Sequence, residues 1–151
     1  MPCAKLLGLF ALAITLSAAD STIGAWKLNV AKSKYSPGPP PQSGTVTYEE
    51  TADGIRRSGE TIAADGSKTS FEYTAKYDGK EYPVKGSDLF DTIVLKRVSD
   101  RTVEATLKKS GKDVSHARRV VSKEGKTMTI STTGKNAKGQ KMHNVAFYEK
   151  Q

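Results

Sequence analysis

The sequence predicts an all-β domain, a single up-and-down antiparallel β-barrel of about eight to ten strands. Three observations favour this fold class. Runs rich in Thr, Val, Tyr, Phe and Ile alternate apolar and polar residues with a period of two, as half-buried strands do. Short glycine-containing turns, three of them Asp-Gly pairs, separate these runs. After the first twenty residues, no window shows the apolar spacing of an amphipathic helix.

The strands can be placed in order along the chain. The first covers residues 24–30, and the others cover 45–50, 55–62, 68–77, 80–85, 92–98, 101–109, 112–122, 127–133 and 141–150. Nearly every link between them is short, which favours a meander over a Greek-key sandwich. A meander leaves two exposed edges unless its first and last strands pair, so we expect closure into a barrel.

The first strand and the link after it suggest how the barrel is closed. Gly24 can bend the strand where it enters the closed end, and we expect the large Trp26 to plug that end. The one long link, residues 31–43, carries four prolines between positions 37 and 41, which cannot donate ladder hydrogen bonds. We expect a stiff passage without strands that runs over the barrel mouth.

Residues 1–19 are predicted to be a secretory signal peptide. Lys5 gives a positive start, residues 6–16 are almost wholly apolar, and residues 17–19 (Ser-Ala-Ala) offer a small-residue cleavage site. The apolar run is about half the length of a membrane span, and an uncleaved N-terminal anchor is the alternative. We therefore expect a mature barrel domain of residues 20–151 that is exported, to the periplasm or the medium, as a soluble monomer.

Few residues in this domain are suited to catalysis or metal binding. The only cysteine, Cys3, lies in the predicted leader, and the only histidines are His116 and His143 on separate strands. Zinc sites need three or four clustered ligands, and no nucleophile-elbow, phosphate-loop or zinc-protease motif is present. We expect no metal, no cofactor and no enzymatic activity.

Two short motifs resemble a known superfamily. The Gly-x-Trp of residues 24–26 on the first strand and the Phe-Tyr-Glu-Lys of residues 147–150 on the last strand resemble those of the lipocalins and fatty-acid-binding proteins, the calycins. The chain is most similar to lipocalin-like exported bacterial domains. The resemblance implies a barrel of eight to ten strands with an internal cavity for a small apolar or amphipathic ligand.

The chain departs from that superfamily in three respects. Fatty-acid-binding proteins close the mouth with a helix pair, and lipocalins usually end in a helix, but this chain has no segment for either. Fatty-acid-binding proteins also anchor a carboxylate with Arg-x-Tyr on the last strand. The matching positions here are Ala146 and Tyr148, so the arginine is missing.

One strand carries aromatic candidates for the ligand site. Phe71 and Tyr73 share a face with Ala75 and Tyr77, whereas the other face is polar, so we expect the aromatic face to point inwards. These side chains either line a cavity or fill a solid core.

A second strand carries polar candidates. If Val114 and Val120 point inwards, His116 and Arg118 do so too, and an inward arginine would be a good anchor for a carboxylate or phosphate. Tyr148 could assist through its hydroxyl. The alternative is a one-residue bulge or the opposite register, either of which leaves Arg118 in solvent.

The charge distribution supports a second hypothesis. Residues 20–95 carry 9 Lys/Arg and 11 Asp/Glu, a net −2, whereas residues 96–151 carry 14 and 5, a net +9. The basic half could adhere to anionic envelope components, or its lysines could simply cover the wet faces of strands. A structural envelope protein without a small ligand is a third hypothesis, and nucleic acid is not an expected partner.

Overall fold

A computed structural model describes residues 19–151, so the predicted leader lies outside the described residues except for Ala19. The strands are β1 (Gly24–Leu28), β2 (Lys34–Ser36), β3 (Ser43–Thr51), β4 (Gly54–Ile62), β5 (Lys68–Ala75), β6 (Asp78–Lys85), β7 (Thr92–Ser99), β8 (Thr102–Lys109), β9 (Lys112–Val121), β10 (Thr127–Lys135) and β11 (Lys141–Lys150). The helical structure in these residues is a 3-10 turn at Val30–Lys32. None of the described helical structure is long and apolar enough to cross a membrane.

Ten of the strands form a closed barrel. From β3 to β11 each strand pairs antiparallel with the next, and β1 pairs with both β3 and β11. Trp26 lies opposite Val46 on one side and Lys150 on the other. The predicted up-and-down barrel and its closure are therefore confirmed.

The prediction that residues 31–43 contain no strand is wrong. The 3-10 turn of three residues follows β1. The short β2 comes next and pairs with β11, with Tyr35 opposite Asn144. This pairing is possible because the prolines begin only after Ser36. The end of the proline segment is attached to β4 by a 2.8 Å hydrogen bond from the Gln42 backbone N–H to the Ile62 carbonyl.

One end of the barrel is closed by a floor, which consists of Trp26, Val121, Met128 and residues 20–23. Trp26 and Met128 are completely buried. The Trp26 indole N–H donates to the Thr22 carbonyl at 2.8 Å, which ties the incoming chain to the plug. Gly24 has φ of +130°, and a Cβ there would lie 2.8 Å from Lys150 Cε. This strand therefore needs glycine where it leaves the floor.

The other end of the barrel is open. Residues 63–67, 86–91, 110–111 and 136–140 connect strands there, because successive strands run in opposite directions. The inward faces of the strands are mainly apolar. The buried apolar side chains around the middle of the barrel are those of Tyr73, Ala75, Val84, Ile93, Leu95, Val103 and Leu107.

Candidate ligand-binding cavity

A cavity of about 390 Å³ lies inside the barrel above the floor. It reaches the open end, where the half-exposed Leu89 and the exposed Lys135 belong to its lining. Its walls are mostly apolar, with Ile93, Leu95 and Leu107 among them. The barrel is therefore hollow, and its volume lies towards the small end of the roughly 300–1,000 Å³ typical of ligand pockets.

Arg119 is a buried cation in the wall of this cavity. On β9, Ser115, Arg119 and Val121 are buried and Ala117 is partly buried, while the residues between them are exposed. The Arg119 guanidinium lies 4.5 Å from the centre of the Tyr48 ring. One of its terminal nitrogens, Nη2, donates to the Tyr77 hydroxyl at 2.9 Å. Its Nε is buried and has no hydrogen-bond partner among the described residues.

Arg119 keeps its charge in this environment. Burial alone would lower the pKa of the Arg119 guanidinium, but the phenolic oxygens of Tyr48, Tyr73 and Tyr77 raise it above its usual range. A buried charge with an unused donor is costly unless an anion or water satisfies it. The wall of the cavity therefore holds a positive charge that no acidic side chain of the lining neutralises.

Arg57 is a second cation in the lining. It extends from β4 across the adjacent strand β5, where its guanidinium lies 3.6 Å from the centre of the Phe71 ring. Its Nη1 donates to the Phe71 carbonyl at 2.8 Å. Stacking and this hydrogen bond fix the direction of the side chain.

Four of the six tyrosines of the chain, Tyr35, Tyr48, Tyr73 and Tyr148, line the cavity beside these arginines. Burial, with a smaller contribution from Tyr48, raises the pKa of Tyr73 to about 12, although Arg119 and Arg57 act against it. Burial also raises the pKa of Tyr35 and Tyr148. At neutral pH Tyr35, Tyr73 and Tyr148 are uncharged hydroxyls that can donate or accept hydrogen bonds.

The lining is electrostatically one-sided. It contains Arg57, Arg119 and Lys135 but no aspartate or glutamate among the described residues. A cavity with low-dielectric walls and charges of one sign attracts ligands of the opposite sign. The lining therefore complements a negative group better than a positive one.

An aromatic contact lies at the open end of the cavity. Phe90, in the loop between β6 and β7, packs edge-on against Phe71 with ring centres 5.2 Å apart. Because the Arg57 guanidinium also lies over the Phe71 ring, this contact links the rim to a cation in the cavity. Leu89 beside it is 49% exposed.

Three of the five predicted ligand residues lie in the cavity wall, namely Phe71, Tyr73 and Tyr148. The predicted inward orientation of His116 and Arg118 is wrong. Both are exposed, and Arg118 forms an ion pair of 3.0 Å with Glu104 on the outer surface. The cause is a bulge between β8 and β9, which leaves Val114 as the extra residue and puts Ser115 and Arg119 on the inner face.

The sequence interpretation missed the two arginines that do line the cavity. Arg119 could have been found from the apolar spacing of Ala117 and Val121, which competes with that of Val114 and Val120. Arg57 follows Ile55 by two residues and so shares its inward face. Among residues 19–151, no group of three or more His, Cys, Asp or Glu side chains could hold a metal ion.

Comparison with known proteins gives a structural match. No family model matches the chain, and no curated protein matches it. A solved structure of the zebrafish ileal bile-acid-binding protein, complexed with cholic acid, is similar with a TM-score of 0.54 and 12% sequence identity. The match covers 87% of this chain and 99% of that one.

The chain has the calycin fold. The predicted resemblance is therefore confirmed at the level of the fold. The barrel of this protein carries the two arginines of its cavity on β4 and β9, whereas its last strand carries Ala146 and Tyr148 where the fatty-acid-binding motif has arginine and tyrosine.

Proposed function

We propose that this protein binds a small amphipathic anion inside its barrel. The observation that carries the proposal is Arg119, a buried cation that belongs to the lining of a hollow cavity without acidic residues. The anionic group would lie beside Arg119, with Arg57 and the Tyr148 hydroxyl as further donors. The apolar part would lie against the aliphatic wall.

The calycin fold supports this proposal, since such barrels suit a small hydrophobic ligand. The zebrafish neighbour was solved with cholic acid, an amphipathic carboxylic acid. Cholate is therefore a reasonable competitor to test, together with a straight-chain fatty acid of medium length. We propose binding rather than catalysis, because the polar lining consists of cations, hydroxyls and amides without a carboxylate or imidazole base.

Two fluorescent probes test the proposal. The dye 1-anilinonaphthalene-8-sulfonate carries a sulfonate, whereas N-phenyl-1-naphthylamine has the same aromatic frame without the charge. We expect saturable binding of one molecule of either probe per chain, with the sulfonate probe bound about tenfold or more tightly because of its charge-assisted hydrogen bonds. Cholate or decanoate should displace it. Absence of saturable binding of both probes would overturn the proposal.

A second candidate function is adhesion to an anionic surface. Lys109, Lys112, Lys135, Lys138 and Lys141 are exposed on two turns of the open end, and none forms an ion pair with a described residue. These turns lie near one another on the rim, because β8, β9, β10 and β11 are successive neighbours. Such a group of lysines favours contact with anionic lipid or polysaccharide.

Salt dependence tests this second candidate. Retention on vesicles containing phosphatidylglycerol should fall steeply as salt rises from about 0.05 to 0.5 M, because surface charges are screened. A variant with Lys135, Lys138 and Lys141 changed to Gln should lose most of this retention. Equal retention on neutral vesicles of phosphatidylcholine would rule the candidate out.

We also propose that the protein is exported after removal of residues 1–19. The proposal is supported by Asp20, the first residue of the predicted mature chain, which is already part of the floor through its hydrogen bonds to Thr22 and Tyr77. Expression in a bacterium with its export machinery intact should yield periplasmic or secreted protein beginning at Asp20, as read by N-terminal sequencing. Accumulation of the full-length chain in the cytoplasm would contradict it.

A further inference from the structure

Asp20 is a nearly buried carboxylate on the floor, and its side chain is 9% exposed. Its Oδ1 accepts a hydrogen bond from the Thr22 backbone N–H at 2.8 Å and another from the Thr22 hydroxyl. Its Oδ2 accepts from the Tyr77 hydroxyl at 2.6 Å and from Arg97 Nη2 at 2.8 Å. Tyr77 and Arg97 are far from Asp20 in sequence, so the fold itself brings these three groups together.

Tyr77 connects this carboxylate to the cavity. Its hydroxyl has a single proton, which it donates to Asp20, so it can only accept the hydrogen bond from Arg119 Nη2. The two hydrogen bonds therefore point the same way, because Arg119 donates to Tyr77 and Tyr77 donates to Asp20. Two hydrogen bonds, of 2.9 Å and 2.6 Å, connect the buried cation to a negative charge.

The Arg119 guanidinium thus has two different environments. Its Nη2 is linked to Asp20 through Tyr77, while the side chain also belongs to the lining of the cavity. An anion that binds there would share Arg119 with Asp20. The two negative charges would repel one another across the guanidinium in a medium that screens weakly.

We propose that Asp20 is a built-in counter-ion of Arg119 that limits the affinity of the cavity for anions, an inference that rests on the proposed anion-binding function. Arg97 acts in the opposite direction, because it neutralises Asp20 from the outer side and so reduces the repulsion. Asp20 contacts no ligand in this arrangement and acts through Tyr77 and Arg119. It sets the preference for charge without forming part of the cavity wall.

The first test is Asp20→Asn, which removes the charge and keeps the size of the side chain. The affinity for 1-anilinonaphthalene-8-sulfonate should rise about ten- to twentyfold, the effect of one like charge roughly 10 Å away at an effective dielectric constant near 20. The affinity for N-phenyl-1-naphthylamine should not change. Asp78→Asn is the matched control, because Asp78 accepts from the Tyr82 hydroxyl at 2.6 Å on the exposed surface, and it should change neither affinity.

The second test is Arg97→Gln, which leaves Asp20 without its outer partner. The affinity for the sulfonate probe should fall about twofold or more, because an unneutralised Asp20 repels the anion more strongly. Lys96→Gln removes a positive charge from the neighbouring exposed position and serves as the control. The opposite signs separate this inference from simple loss of stability, which would weaken binding in both variants.

The outcomes distinguish the inference from the function on which it rests. If the wild-type protein prefers the sulfonate probe but Asp20→Asn leaves the ratio of the two affinities unchanged or lowers it, the counter-ion inference is wrong and the binding function stands. If the wild-type protein binds neither probe, both fail. A rise in sulfonate affinity in Arg97→Gln would also overturn the inference, even if Asp20→Asn proves too unstable to measure.

Discussion

The Arg57 guanidinium lies over the Phe71 ring, 3.6 Å from its centre, and donates to the Phe71 carbonyl at 2.8 Å. Gly59 leaves room for this arrangement, because a Cβ there would lie 2.9 Å from both Arg57 Nη2 and the Thr45 carbonyl oxygen. The missing side chain at one position of β4 therefore determines where a cavity cation lies.

Gly59→Ala should displace Arg57 from Phe71. We expect a loss of about 1–3 kcal/mol in the free energy of unfolding, because the added methyl group overpacks a backbone contact, and weaker binding of the sulfonate probe. Urea unfolding followed by circular dichroism gives the first quantity. Gly44→Ala is the control, since its Cβ would meet Leu28 at an ordinary 3.4 Å. Equal stability of the two variants would contradict the prediction.

Trp26→Ala should open the floor. The side chain is completely buried and its N–H is paired with the Thr22 carbonyl, so we expect a loss of about 3–5 kcal/mol in the free energy of unfolding. Trp26→Phe keeps a ring and should cost less. The measurement is denaturant unfolding followed by circular dichroism, because Trp26 is the only tryptophan. A cost below about 1 kcal/mol for Trp26→Ala would show that the plug contributes little.

Asp20 should make the free energy of unfolding depend on pH in the acidic range. Burial alone would raise the pKa of its carboxyl, but hydrogen bonds from Thr22 and Tyr77 and the charge of Arg119 lower it below the ordinary value. The folded-state pKa is thus below the unfolded value of about 3.9. The stabilisation is complete above that value and is lost as the pH falls through the folded-state pKa.

The measurement is the difference in unfolding free energy between the wild-type protein and Asp20→Asn, by urea titration at several pH values. We expect the wild-type protein to be the more stable near pH 7, and the difference to shrink below about pH 4. A difference that stays constant from pH 7 to pH 2.5 would contradict the prediction.

Tyr73 should make the free energy of unfolding depend on pH in the alkaline range. Burial raises its pKa to about 12 in the folded state, against about 10 in the unfolded chain. Tyr73 therefore keeps its proton to a higher pH in the folded state. Its contribution to the free energy of unfolding is unchanged below about pH 10 and is lost between about pH 10 and 12. Urea unfolding of Tyr73→Phe should show a shallower decline over this range. The same slope in both proteins would contradict the prediction.

The sequence alone could predict the barrel, because each feature that specifies it is local. Alternation identifies the strands, Asp-Gly pairs mark several turns, and the Gly24–Trp26 segment indicates the closed end. The short strand Lys34–Ser36 was missed because it pairs only with β11, more than a hundred residues away, and three residues carry no periodic signal.

The candidate site was harder to predict than the fold. The inward aromatic residues Phe71 and Tyr73 follow from alternation on one strand, but the buried cation depends on one extra residue near the start of β9. A shift of one residue exchanges the two faces of a strand. It therefore exchanges Arg118 with Arg119, and neither side chain reveals its direction without the pairing to β8.

Adjacent arginines on β9 offer the most direct test of anion binding in the barrel. Arg119→Met and Arg118→Met make the same change on opposite faces of the strand, one in the cavity wall and one on the outer surface. The measurement is the ratio of affinities for 1-anilinonaphthalene-8-sulfonate and N-phenyl-1-naphthylamine in each variant. We predict that Arg119→Met loses about tenfold or more of the preference for the sulfonate, while Arg118→Met keeps it. Retention of the full preference in a folded Arg119→Met protein would contradict an anion site inside the barrel.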